Sequence, residues 1–81
     1  MVHPLAVNSD ITVRMEWDEE TKAWVTYVPE LNNISTFGKT QAQALNATAE
    51  LVRGYLEAMR AQRLRVPLPA SAVRRLRETL A

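Results

Sequence analysis

Three patterns in this 81-residue chain predict an α+β fold: a three- or four-stranded, mainly antiparallel sheet with one long helix on one face and a short C-terminal helix, in the order β-β-β-α-(β)-α. Residues 11–18 alternate apolar and polar, residues 41–63 repeat their apolar positions at helical spacing, and Pro67 and Pro69 separate that helix from an arginine-rich tail. The predicted organisation is a flexible N-terminus over 1–10, one α+β domain over 11–69 and a short basic helix over 70–81.

The first strand rests on Ile11, Val13, Met15 and Trp17, which alternate with Thr12, Arg14, Glu16 and Asp18 and so place one apolar face on a core. After the polar stretch 18–22, Ala23-Trp24-Val25-Thr26-Tyr27-Val28 is rich in aromatic and β-branched side chains and completes a hairpin. Pro29 has no N–H for a ladder and ends this strand. Leu31-Asn32-Asn33 turns the chain into a third strand, Ile34-Ser35-Thr36-Phe37, closed by Gly38.

Thr40 and Gln43 have the spacing of a capping box, in which each side chain satisfies a free N–H at a helix start. The helix that follows carries two apolar stripes, each with 4-3-4-3 spacing. Leu45, Ala49, Val52, Leu56 and Met59 are expected on the sheet, and Ala44, Thr48, Leu51, Tyr55 and Ala58 widen the arc. Residues 65–69 must leave the helix and are expected to be extended, with a fourth edge strand as one outcome. Ser71 is placed to cap a last helix with Val73, Leu76 and Leu80 on one side and Arg74, Arg75 and Arg77 in water.

A chain this short buries only roughly 60–65% of its unfolded surface, which argues against a large enclosed active site. The composition, 47% apolar and 23% charged, is that of a folded protein, and the absence of cysteine removes both disulfides and thiolate metal sites. Oligomerisation or a partner is the expected supplement to the small core, so a homodimer or higher homo-oligomer is predicted. The formal charge of +1 conceals a split: residues 1–50 hold three Lys/Arg against seven Asp/Glu, and residues 51–81 hold seven Arg against two Glu. The expected setting is cytoplasmic, since no secretory signal and no membrane-spanning run is legible.

The chemistry of the side chains points away from catalysis, and neither an enzyme nor a cofactor or metal is expected. The single histidine, His3, has no cysteine to pair with, and Gly38 and Gly54 are too far apart to form a phosphate-cradling loop. Glu16 and Asp18 share a strand face, but a Mg²⁺-dependent nuclease site would need a further acid such as Glu50. The arginine-rich last third, with Arg74, Arg75 and Arg77 as candidate contacts, suits phosphate, although it lacks aromatic residues for base stacking.

The hairpin, the Pro29-Glu30-Leu31 turn, the Ile34-Ser35-Thr36-Phe37-Gly38-Lys39-Thr40 junction and the trailing Val66-Pro67-Leu68-Pro69 together resemble the HicB-like antitoxin family over residues 11–69. Asn33-Ile34 stands where that family usually has Gly-Cys, Lys39 replaces an acid, and Gln43-Ala44-Leu45 stands for Glu-Ala-Leu. The resemblance implies a truncated ribonuclease-H-like fold without nuclease carboxylates, and a role in binding and neutralising a small HicA-type RNA-cleaving toxin. On that reading the expected partner contacts are Glu19, Glu20, Trp24, Tyr27, Glu30 and Leu31. The alternatives are a nucleic-acid-binding regulator that uses the arginine-rich third, and a solo HicB-like interaction module without a toxin.

Overall fold

The computed structural model describes residues 2–6 and 11–80, with residues 2–6 and Leu80 described only by the course of their backbone. A four-stranded antiparallel sheet, β1 (Val2–Ala6), β2 (Thr12–Asp18), β3 (Ala23–Val28) and β4 (Ile34–Gly38), is followed by α1 (Gln41–Ala61) and α2 (Ala70–Leu80). The strands lie side by side in chain order, so each connection is a local reversal. The expected α+β class and the β-β-β-α-α order of residues 11–80 are observed.

The fourth strand has a different source from the one expected. Residues 65–69 form no strand, and the added edge is β1, where Val2–Ala6 pairs with β2 in the register Leu5 to Val13. The segment expected to be a flexible N-terminus therefore contributes an edge, and residues 7–10 lie outside the described residues. Pro67 and Pro69, two residues apart, deprive 65–69 of the donors a ladder needs.

The turns follow local chemistry. Pro29–Leu31 makes one 3-10 turn, after which Asn32 and Asn33 take left-handed φ values of 60° and 55°, a region asparagine tolerates better than most residues. Lys22 closes the β2–β3 hairpin in the same region, with φ 55°. At the start of α1 the Thr40 hydroxyl accepts the Gln43 N–H at 3.1 Å, as the capping box requires. The Gln43 amide oxygen accepts from the Lys39 N–H rather than from that of Thr40, which shifts the second half of the box by one residue. The helix ends in a Schellman motif, with Leu64 N–H bonded to Met59 carbonyl, Arg63 N–H to Arg60 carbonyl and Arg63 at φ 54°.

Both helices lie on one face of the sheet. Ile11, Val13, Val28, Leu31, Val52, Leu56 and Leu76 form the core, and each such fully buried side chain contributes about 1.5–3 kcal/mol relative to exposure. The buried row of α1 is Ala44, Thr48, Val52 and Leu56, a straight i+4 ridge drawn from both expected stripes. Leu45, Ala49 and Met59, expected on the sheet, flank this ridge half-buried. α2 starts one residue before Ser71, with Val73 N–H on Pro69 carbonyl, and buries Ala72 as well as Leu76. Ser71 therefore sits inside the first turn instead of capping it.

Two local features set the height of α1 above the sheet. A Cβ on Gly38 would lie 2.4 Å from the Ala44 nitrogen, so glycine is required by close approach of two backbones. Beside it, the buried hydroxyls of Thr26 on β3 and Thr48 on α1 meet at 2.5 Å, and Thr48 donates onward to the Ala44 carbonyl at 2.7 Å. This relay satisfies two polar groups that would each cost about 1–3 kcal/mol if buried without a partner. Gly38→Ala is expected to destabilise the fold by about 1–3 kcal/mol, measured by urea denaturation with an unchanged m-value, because backbone rather than a flexible side chain must move.

Candidate protein-binding surface

Strand pairing decides which side chains face outward. Met15 pairs with Thr26 and Thr26 with Thr36, which marks this row as the inner face, because Thr26 bonds Thr48 of α1. The neighbouring rows, Arg14–Tyr27–Ser35 and Glu16–Val25–Phe37, belong to the outer face. No helix among the described residues covers that face. Phe37 is 70% exposed there, and Val25 and Tyr27 are half-buried beside it. A shallow cavity of about 360 Å³ opens at this place, lined among others by Asp18, Lys22, Ala23, Val25, Phe37 and Lys39. An apolar floor with charges of both signs at its rim is the usual anatomy of a protein-binding surface.

The expected contact residues do not gather at one place. Trp24 lies on the inner face beyond the end of the core, where its ring meets Trp17 edge-on at 5.4 Å and 62°. Tyr27 is on the outer face, between Arg14 and Ser35. Glu19 and Glu20 are exposed at the tip of the β2–β3 hairpin. Glu30 is at the far end of the sheet, about 20 Å away along β2, where its Oε2 accepts the Thr12 N–H at 3.1 Å. Its other oxygen is buried without a hydrogen-bond partner among the described residues. Leu31 is corrected outright: it is 0% exposed in the core, because the 3-10 turn folds it under α1 and leaves no surface for a partner.

Phe37 and Val25 were not singled out by sequence reasoning. Alternation within β4 separates Phe37 from Ile34, but only the cross-strand register places it beside Val25 and away from the helices.

At the hairpin tip the Glu19 carboxylate receives the Lys22 ammonium at 2.5 Å and the Trp17 indole N–H at 2.8 Å. The Lys22 contact first, and the indole second, hold the Glu19 pKa below its ordinary value. Asp18 organises the same turn by accepting from the Glu20 N–H and the Thr21 hydroxyl. Glu50 lies on α1, on the opposite side of the sheet from Glu16 and Asp18, and no metal-holding group of three His, Cys, Asp or Glu occurs among the described residues. The three acids considered for a nuclease site do not converge.

The arginines form a second surface. Between residues 65–70 and α2 runs a groove of about 670 Å³ with Val66, Leu68 and Val73 along it and Arg65, Arg74 and Arg77 at its sides. Arg77 donates to the Leu56 carbonyl at 3.5 Å, and Arg65, Arg74 and Arg77 make no ion pair with a described residue. Arg75 is exposed on the same helix but does not line the groove.

No family model matches the chain. No curated protein and no solved structure matches it either. Among the described residues no helix is long and apolar enough to cross a membrane.

The hairpin tip yields a pH prediction. A depressed folded-state pKa adds stability that is present above the unfolded value and lost as pH falls through the folded one. Trp17 fluorescence is therefore expected to titrate with a midpoint below the ordinary glutamate value. Glu19→Gln should abolish that transition, as read by an emission scan between pH 7 and pH 2.

Proposed function

We propose that this protein works by contact with another protein rather than by catalysis, as a cytoplasmic, antitoxin-like module that binds and neutralises a small HicA-type RNA-cleaving toxin. The observation that supports this reading most is the sheet face that no described helix covers, where Phe37, Val25 and Tyr27 form an apolar patch beside Glu16 and Asp18. Exposed apolar patches rimmed by polar residues mark interaction sites, and Glu16 and Asp18, set among Arg14, Lys22 and Lys39, offer pairing to basic groups of a partner. The HicB-like pattern over residues 11–69 supplies the partner class.

Co-expression with a HicA-type toxin tests the reading. The wild-type chain is expected to restore growth, to co-purify with the toxin and to block RNA cleavage. Val25→Lys puts a cation at the centre of the outer face, opposite Glu16, and circular dichroism checks that the fold is kept. It should weaken toxin binding by roughly tenfold or more. Cleavage that continues undiminished at a molar excess of the wild-type chain would refute the proposal.

A second reading, nucleic-acid binding, is favoured by the groove whose three guanidinium groups make no ion pair with a described residue. The described residues that line it include no aromatic, so contact would be with phosphate rather than stacked bases. On this reading DNA or RNA binding weakens steeply with salt, and replacing Arg74 and Arg77 with alanine flattens that dependence. A mobility shift unchanged by the double substitution would exclude it.

A further inference from the structure

The strand order leaves β1 and β4 at the two edges of the sheet. They differ in how they are guarded. β1 contains Pro4, and proline or a charged residue within an edge strand is the common device against pairing with other chains. β4 reads Ile34-Ser35-Thr36-Phe37-Gly38, with no proline, no charge and three residues of high strand propensity. Its inner side is covered by α1 through the close approach at Gly38, and one edge pairs with β3. The other edge has no strand partner among the described residues.

We propose that β4 pairs antiparallel with β4 of a second copy, about a twofold axis at Thr36, joining two four-stranded sheets into one of eight strands. The strand is its own complement in this register. Ser35 falls opposite Phe37 of the second copy, Ile34 opposite Gly38, and Lys39 opposite Asn33, so no like charges meet across the seam. Phe37, 70% exposed in the single chain, gains cover from the neighbouring outer face. A two-fold seam of this kind is closed, so it satisfies the open edge in both copies without leading to fibres. It also joins the two outer faces side by side. The seam shares Phe37 with the outer-face patch but does not rest on the toxin reading, because it is read from the oligomeric state of the chain alone.

Sedimentation equilibrium at micromolar concentration is expected to give a dimer. S35K/F37K sets lysine against lysine twice across the seam and removes both phenylalanines, and should raise the dissociation constant by about a hundredfold. S35K/F37E sets lysine against glutamate in the same register and should recover the dimer. Circular dichroism of each variant reports whether the monomer stays folded.

Cross-linking gives a reading that survives a folding failure, since the chain has no cysteine of its own. Oxidation of an equimolar mixture of S35C and F37C should give a covalent dimer faster than either variant alone. A monomeric wild type, equal behaviour of the two double variants, or cross-linking no faster in the mixture would each overturn the proposal. Recovery of an extended peptide from another protein on β4, in place of a second copy, would overturn it as well.

Discussion

The short distance between α1 and the sheet is the constraint on which the rest of this structure depends. Gly38 lets the backbone of the first helical turn settle onto β4. The Thr26–Thr48–Ala44 relay then fixes a polar contact in the middle of an otherwise apolar layer. With the helix held at that height, Val52 and Leu56 reach Val28 and Leu31, and Leu76 of α2 completes the same core. A buried hydroxyl pair is sensitive to position in a way that methyl groups are not, since a shift of an ångström loses both hydrogen bonds.

The described elements cover one face of the sheet. α1 and α2 both go to the inner face, so the outer face is left with Val25, Tyr27 and Phe37 among Arg14, Glu16 and Asp18. The split of charge along the chain becomes two separate surfaces. Acids and the apolar patch lie on β2–β4, and guanidinium groups line the groove beside α2. The two function readings differ in which surface they use, and the unguarded edge at β4 borders the first of them through Phe37.

Much of the architecture was legible because it follows from local chemistry. Alternation marks β2, proline ends β3, paired asparagines turn the chain, and Thr40 caps α1. Apart from Ser71, which lies one residue inside the helix it was expected to cap, the failures were non-local. The expected stripes on α1 differ by one residue, or 100° of rotation, and only packing on a tilted sheet selected the ridge 44-48-52-56 between them. Leu31 looked like a turn residue because its neighbours are turn formers. It is core because the 3-10 turn directs it under the helix.

By itself the sequence determined the element types, their order, the turn positions and the absence of cysteine chemistry, since these depend on φ preferences, donors and periodicity within a few residues of one another. Only the tertiary structure decided that Val2–Ala6 supplies the fourth strand, that Glu30 lies at the far end of the sheet from Glu19 and Glu20, and that Phe37 stands beside Val25 in the open. Those are matters of register between segments distant in the chain. A one-residue slip in register would leave every local preference intact while exchanging the inner face for the outer.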